Sequence, residues 1–479
     1  MSGWQEDLSD EISSEQRALV VLPEAIMNAT ERFCKAYHQR WLASGETDGA
    51  NWLKQLRDDA FASFTEQGLP GSREENWKYT RLNKIEEPEF GFWGQSGFSG
   101  QLTPPLAAIQ PGGLALLSGA HRLVFVNGKY QHALSEWGPR PEGLILCPLS
   151  EAMNTYPDFL RPYLGRIADG SAHPFAALNT MFMDDGIFLK VPENSRMSTP
   201  IYCLFISVGT ERPMICFPRL LLVLEQQSEV SLIEHYLNME SRAGKQNHNH
   251  DFTNAVTEIE LGPDSRLQHY TLQTAATCES HFHGLHVNQR RASQFNSHHV
   301  TLGGALARND IQVRLLDELA ECRLNGAYCI DGAQHVDYHT RIDHLVPNCC
   351  SRELYKGVVQ GKSRAVFHGD IVVHRDAQHS DAQMVNKNLL LSQEAEVDTK
   401  PELQIYADDV KCSHGAAVGQ LDPMALFYLR SRGIPPGLAK TLLVTAFIDE
   451  IQQTMATKAA RQLFLPWMQA KLNVLMEAS

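Results

Sequence analysis

CCSRELYKGV (349–358) joins a polar turn to a strand pattern, and this combination recurs through the middle of the 479-residue chain. The recurring segments are PDSRLQHYTL (263–272), RASQFNSHHV (291–300), LAECRLNGAY (319–328), CCSRELYKGV (349–358) and QHSDAQMVNK (378–387). The third residues of these segments are Ser265, Ser293, Glu321, Ser351 and Ser380, at spacings of 28, 28, 30 and 29. A near-constant period of this length is typical of a solenoid, and units made only of strands predict a parallel β-helix. We expect the four serines to stack along one edge, with a jelly roll as the alternative fold.

Short alternating apolar runs continue this region upstream to about residue 186. These runs are IFLKV (187–191), IYCLFIS (201–207), LLLVLE (220–225) and SLIEHYL (231–237). Period-two alternation between turn signals is the strand pattern. The sequence therefore predicts a mainly β fold with a β-helix core over residues 184–410.

Helical spacing dominates the chain before this core. Apolar residues recur every three or four positions at Ile26, Thr30, Phe33, Tyr37, Trp41, Leu53, Leu56, Ala60 and Phe64. PFAALNTMF (174–182) also indicates a helix, and LVFVNGKY (123–130) indicates a strand. We expect residues 1–183 to form a largely helical α/β domain.

Helical patterns return after residue 410. Asp422 is a candidate N-cap, and LAKTLLVTAFIDEIQQTM (438–455) and KAARQLFLPWMQAKLNVLM (458–476) are amphipathic. Three helices in so short a segment cannot build a large core. We expect the 411–479 domain to pack its apolar faces on the solenoid end or on another protein.

The net charge of −14 argues against nucleic acid or an anionic membrane surface as partner, and no Lys/Arg stripe is present. The first 16 residues hold five acids and no base, which does not fit a signal peptide. The longest apolar runs are shorter than the ~20 residues that span a bilayer. These features predict a cytoplasmic protein, with most of its ten cysteines reduced and buried.

Three histidine groups are candidate metal sites. His281, His283 and His286 lie in HFHGLH, and His248 and His250 lie in NHNHD. No cysteine of matching spacing completes a site, so exposed strand histidines are the favoured interpretation for both groups. His335 and His339 have the zincin i,i+4 spacing, but Val336 occupies the position of the catalytic Glu.

Two further segments resemble parts of enzyme active sites but lack what those sites require. GVVQGKS (357–363) has three residues between its glycines, where a phosphate loop needs four, and no helix is signalled after it. A β-helix carbohydrate-active enzyme would need two carboxylates facing one bond. Asp408 and Asp409 are adjacent and would leave a strand in opposite directions.

The segment DDVKCSHG (408–415) is the strongest site candidate. If the last strand runs through IYADDVKCSH, Cys412 and His414 leave the same face at its end. Lys411 would favour the thiolate, and thiolate with imidazole suits iron–sulfur or zinc chemistry. Two ligands do not complete a site, so the others come from elsewhere in this chain or from a partner.

Four segments resemble the SufBD scaffold family of the SUF iron–sulfur cluster assembly system. They are SREENWKYTRL (72–82), FAALNTMFMDDGIFLKVPENS (175–195), YKGVVQGKSRAVFHGDIVV (355–373) and LQIYADDVKCSHGAAVGQLDPMALFYLRSRGI (403–434). The last resembles the SufD branch most closely. SufB-like chains tend to have an acidic residue after the histidine that corresponds to His414, whereas this chain has Gly415. They also have a cysteine near the position that Asn386 occupies here. Residues 1–71 carry no such match.

The resemblance implies a right-handed parallel β-helix and a non-enzymatic scaffold. It implies a heterodimer with a SufB-like paralogue through the β-helix core. It also implies docking of a SufC-like ABC ATPase on helices 422–477. Cys412 and His414 would lie at the subunit interface, with His414 in the main role, contributing to a transient cluster shared with the partner and to iron acquisition. The resemblance also implies that the family's complex binds reduced flavin, but no residue of this sequence indicates where.

Overall fold

The computed structural model describes residues 27–41, 51–92, 119–209, 212–239 and 250–477. Within this part the chain forms two compact units, one from residues up to 88 with 169–182, and one from residues 89–168 with 183–479. Ile26 and His248 lie outside the described residues. The domain boundaries expected at residues 184 and 411 stay a prediction, because the division into two compact units does not test them.

The first unit is helical. Its helices are α1 (Ala29–Trp41), α2 (Asn51–Gln67), α3 (Asn83–Glu86) and α6 (Pro174–Phe182). Phe33 and Tyr37 of α1 are buried, and the Phe33 ring lies edge-on to Phe64 of α2 at 6.2 Å. The Trp41 indole donates a hydrogen bond to the carbonyl of Met181 in α6 at 3.1 Å. The apolar stripes read from the sequence therefore mark the buried faces of these helices.

The second unit contains two large, mostly parallel sheets. In chain order the strands are β1 (Gly91–Phe92), β2 (His121–Val126), β3 (Lys129–Tyr130), β4 (Ile145–Pro148), β5 (Gly186–Val191), β6 (Ile201–Val208), β7 (Met214–Cys216), β8 (Arg219–Leu224), β9 (Glu229–Met239), β10 (Phe252–Leu261), β11 (Arg266–Thr274), β12 (Ser280–Gln289), β13 (Gln294–Thr301), β14 (Leu306–Leu315), β15 (Glu321–Ile330), β16 (His335–His344), β17 (Cys350–Val359), β18 (Arg364–Val373), β19 (Asp381–Leu390), β20 (Glu396–Ile405) and β21 (Lys411–Gly419). Its helices are α4 (Leu149–Thr155), α5 (Pro157–Leu160), α7 (Pro423–Ser431), α8 (Pro436–Gln453) and α9 (Lys458–Glu477).

Successive strands alternate between the two sheets. One sheet has the order β20-β18-β16-β14-β12-β10-β8-β5-β4, and the other has the order β21-β19-β17-β15-β13-β11-β9-β6-β2-β3. We call them the even sheet and the odd sheet, after the strands β10 to β21 that build them. Each coil contributes one strand to each sheet, and its neighbours pair with it in parallel. The predicted parallel β-helix with flanking helical regions is confirmed.

The serine register differs from the prediction. Ser265 and Ser293 do occupy equivalent places on successive coils, and Ser380 shares that column, but Ala320 and Cys349 fill the places between. Ser351 lies two positions further along its strand and pairs with Ala382. The turns differ in length from coil to coil, so a near-constant spacing in sequence does not mark a constant place in the solenoid.

A residue in the left-handed conformation lies two positions before each of the odd-sheet strands β9, β11, β13, β15, β17 and β19. The residues just before this column have positive φ near 60°, and they are Gln227, Asp264, Ala292, Leu319, Asn348 and His379. The hydroxyls of Ser265, Ser293 and Ser380 then donate to the carbonyl three residues earlier, at 2.7 to 2.8 Å. The repeated unit is therefore a backbone turn, which several different residue types can form.

The predicted strand at 123–130 is a hairpin. Strands β2 and β3 pair antiparallel, with Val126 opposite Lys129. Asn127 and Gly128 between them have φ of 48° and 77°. Two successive positive φ values in an Asn-Gly pair are the signature of a tight hairpin turn, and this signal overrides the continuous apolar run.

The solenoid has one core between its sheets and a second on the outer face of the odd sheet. The second core joins outward residues such as Tyr270 and Val358 to Val444 of α8 and Phe464 of α9. The two long helices thus pack on a side of the solenoid and not on its end, because the outer face of the odd sheet carries the apolar side chains that they bury.

Among the described residues, no helix is long and apolar enough to cross a membrane.

Candidate functional site

Cys412 and His414 lie near the start of β21, the last strand of the odd sheet. The predicted continuous strand through IYADDVKCSH is broken, since β20 ends at Ile405 and β21 begins at Lys411. The pair still shares one face, because alternate residues of a strand point the same way. In the register with β19, Cys412 lies beside Ala382 and His414 beside Met384.

The face that carries the pair points into the solenoid. Ala382 and Met384 are fully buried in the core between the sheets, and Cys412 packs against that core while half-buried. His414 continues the same inward-facing column but is exposed, since β21 lies at the end of its sheet. The imidazole therefore stands at the open end of the interior.

The electrostatics at Cys412 differ from the sequence interpretation. Burial raises the pKa of the Cys412 thiol, and the nearby carboxylate of Asp381 raises it further. The expectation that Lys411 favours the thiolate is wrong for this chain. Lys411 is the preceding residue on the strand, so its side chain leaves by the opposite face.

The last coil leaves two strand edges open. Strands β20 and β21 end the even and odd sheets and pair on one side only in the part of the chain described. Tyr406 is 60% exposed between them, and Ile405 and Val418 are also exposed. Open edges with apolar side chains are a template for pairing with another chain.

A second exposed apolar surface lies on the C-terminal helices. We call it the helix patch, and its members are Met424, Phe427, Tyr428, Leu438 and Leu442. Helix α7 has no buried residue, although the Asp422 carboxylate caps it by accepting from the Met424 amide at 2.9 Å. Met424 and Phe427 are 71% and 66% exposed. Several large apolar side chains exposed on neighbouring helices are typical of a surface that contacts another protein.

The histidines of HFHGLH are buried, so their interpretation as exposed strand residues is wrong. His281 and His283 point into the solenoid, and burial lowers their pKa to about 3 and about 4. His283 lies 3.1 Å from the Thr257 hydroxyl, within a group that includes Glu234. Sequence alone missed this group, since Glu234 belongs to a strand two coils earlier.

The other rejected motifs adopt ordinary solenoid positions. His250 lies 3.1 Å from the carbonyl of Cys278, and His339 on strand β16 pairs with Asp337 at 3.1 Å. Gly361 of GVVQGKS forms a turn before strand β18, where a phosphate loop would begin a helix. Asp409 lies in the turn before β21 and contacts His379 at 3.0 Å. Within the described ranges, no group of three or more His, Cys, Asp or Glu residues is arranged to hold a metal ion.

Glu353 lies on the same inward-facing column as His414. It neighbours Met384, which in turn neighbours His414. Burial raises the pKa of Glu353 to about 8, and neither of its carboxyl oxygens has a hydrogen-bond partner among the described residues. At pH values between the ordinary pKa of a glutamate and about 8, the Glu353 carboxyl keeps its proton in the folded chain and loses it in the unfolded chain.

We expect Glu353→Gln to remove a pH dependence of stability. Both states bind the proton below the unfolded pKa of about 4.3. From there to about pH 8 only the folded state keeps it, so stability falls by roughly 1.4 kcal/mol per pH unit at most. In urea titrations, the free energy of unfolding of the variant minus that of the wild type should increase as pH rises from about 5 to about 8, and should then stay constant. Glu394→Gln, at an exposed ion pair with Lys362, is the control and should show no such trend.

Family models match most of this chain. The model described as SUF system FeS cluster assembly, SufBD core domain, matches residues 205–447, and the model for the SufBD protein N-terminal region matches residues 27–203. The core model thus covers strands β7 to β21, Cys412, His414, helix α7 and the first part of α8.

Three curated relatives are similar to this chain over most of its length. The iron–sulfur cluster assembly protein SufD of Escherichia coli is 32% identical over 88% of this chain and 94% of its own. A SufBD family iron–sulfur cluster assembly protein of Synechocystis is 32% identical over 87% of this chain and 90% of its own. The chloroplastic protein ABCI7 of Arabidopsis thaliana is 27% identical over 85% of this chain.

Proposed function

Because the chain belongs to the SufBD family of iron–sulfur cluster assembly proteins, we propose that it is a SufD-type scaffold subunit. It pairs with a SufB-like paralogue through the open end of its β-solenoid and docks a SufC-like ABC ATPase on its C-terminal helices. At the subunit interface, His414 and Cys412 contribute to assembly of a transient cluster and to iron acquisition. The iron and the cluster are the cargo of this reaction.

The observation that carries the proposal is an incomplete ligand pair at an open end. Cys412 and His414 face the solenoid interior at its last coil, where both sheets end. A thiol and an imidazole suit iron–sulfur chemistry, but they leave coordination positions unfilled. A partner that extends the two sheets would bring its own residues next to this pair and complete the site.

Asn386 supports the SufD assignment over the SufB alternative. SufB-like chains resemble this stretch but carry a cysteine near this position. Here Asn386 is buried, accepts a hydrogen bond from Asn388 at 2.6 Å and donates to the Tyr328 hydroxyl at 3.3 Å. The position is built into the polar interior of the solenoid, which favours a nucleating thiol supplied by the partner.

The helix patch supports ATPase docking. The inner faces of α8 and α9 already pack against the odd sheet, whereas Phe427 and Leu438 remain exposed on the outside. Exposed apolar residues on helices suit a helical interface with another protein. The scaffold itself performs no hydrolysis in this proposal, since GVVQGKS (357–363) runs from the end of strand β17 into the turn before β18 and begins no helix.

The alternative of a carbohydrate-active β-helix enzyme has less support. Asp408 and Asp409 lie in the turn between β20 and β21, and Asp409 is engaged with His379. A glycosidic site needs two carboxyl groups across one bond, about 5–9 Å apart. Reduced flavin at the level of the complex remains a prediction without assigned residues.

Native mass measurement of the complex tests the proposal. The chain is co-expressed with SufB-like and SufC-like partners from the same organism and purified through a tag on this chain. We expect a heterocomplex that contains all three proteins. Recovery of this chain alone at every partner concentration would contradict the scaffold proposal.

A further inference from the structure

We propose that the solenoid holds a cluster of water molecules between its two sheets, at a site centred on His299. His299 lies on β13 of the odd sheet and faces His283 on β12 of the even sheet. The site is several coils away from the open end. The inference does not depend on the scaffold function proposed above.

Several polar side chains in this part of the interior have no hydrogen-bond partner among the described residues. Both ring nitrogens of His299 lack a partner, as do Nδ1 of His283 and the Thr271 hydroxyl. The same is true of Nε2 of His281 and Nδ2 of Asn309. All five residues are at most 3% exposed. Buried polar groups in native proteins nearly always bind protein or ordered water, so these atoms point to a ligand.

The strand register brings the atoms together. Thr271 is the direct neighbour of His299 in the odd sheet, and Asn309 is the neighbour of His283 in the even sheet. The His299 and His283 rings have centroids 5.6 Å apart. One water can bridge groups at such a separation through two hydrogen bonds of about 2.9 Å each. Ala255, the other neighbour of His283, is small and leaves room beside that ring.

The charges of the surrounding groups favour water over an ion. Burial lowers the pKa of His283 to about 4 and that of His299 well below its ordinary value, so both rings are neutral and attract no anion. The Glu234 carboxylate already accepts from the Tyr236 and Thr257 hydroxyls, at 2.6 and 3.0 Å. In the described part of the chain, no three His, Cys, Asp or Glu residues are arranged around a metal ion. A neutral imidazole offers one donor and one acceptor, and water satisfies both.

Magnetic relaxation dispersion of the water oxygen counts long-lived internal waters in the purified full-length chain. We expect His299→Leu to lose one or more of these waters relative to the wild type. Phe295→Leu changes a buried residue on the same strand and inward face that has no polar side-chain atom, so this control should keep the wild-type count. An unchanged count in His299→Leu would overturn the proposal.

Thr271→Val separates a hydrated site from a dry one, because it replaces a hydroxyl by a methyl at nearly constant volume. If water binds this hydroxyl, the variant loses that hydrogen bond, and both its melting temperature and its water count fall. A dry interior predicts a higher melting temperature, since an unpaired buried hydroxyl is removed, and that rise would overturn the proposal. A metal ion that survives chelator treatment of the wild type but is absent from His299→Leu would overturn it as well.

Discussion

His414→Ala is expected to stop iron–sulfur cluster build-up on the assembled complex while leaving the fold nearly intact. His414 is exposed on the last coil, and no core packing depends on its ring. Replacing a buried, hydrogen-bonded group typically costs about 1–3 kcal/mol, whereas an exposed side chain costs much less. Loss of a cluster ligand removes activity directly. Thermal unfolding and reconstitution of the cluster, followed by visible absorbance, separate the two effects.

Cys412→Ala should give a milder loss of cluster build-up. Its thiol is half-buried, so it is less accessible to a cluster than the exposed imidazole of His414. Because Cys412 also packs against the core, a small loss of stability is expected alongside. His379→Ala is a matched control, since that histidine is exposed one coil earlier and pairs with Asp409.

The opposite pattern would show that His414 is structural. In that case His414→Ala would lower the melting temperature markedly, and the folded fraction would still build clusters at the normal rate. The same outcome would remove the observation on which the interface role rests. Co-purification of the partners with the variant ensures that loss of assembly is not mistaken for loss of a ligand.

Phe427→Asp combined with Leu438→Asp is expected to abolish binding of the ABC-type ATPase. Both side chains are exposed in the helix patch, so the charges are tolerated in the free chain. At an apolar interface each carboxylate would have to be desolvated without a partner, which costs several kcal/mol. Titration calorimetry with the purified ATPase measures the change. Binding at the wild-type affinity would move the ATPase interface to another surface.

Point substitution is a sharper test of this interface than removal of residues 436–479. Helices α8 and α9 cover the outer face of the odd sheet, so a truncated chain would expose Tyr270, Val358 and their neighbours. Such a chain would lose stability and binding together. Glu477→Lys, near the end of α9, is a control for a change of charge on the same helices.

Local patterns in the sequence were sufficient for the architecture. Alternation of apolar and polar residues in segments such as CCSRELYKGV indicates a strand, and repetition of such segments indicates stacked coils. Both signals can be seen in the sequence because they involve residues that are close together along the chain. The candidate pair was also visible, because Cys412 and His414 are separated by one residue within a long matching segment. The Asp422 cap and the two long helices followed from the same kind of local rule.

Register and burial were decided by the tertiary structure. Turn lengths fix which residues of successive coils become neighbours, and this placed Cys349 where a serine was expected and Met384 beside His414. Alternation of side chains likewise identifies the two faces of a strand but does not show which face points into the solenoid. The burial of His281, the outward side chain of Lys411 and the raised pKa of Cys412 therefore depend on which face the neighbouring coils enclose.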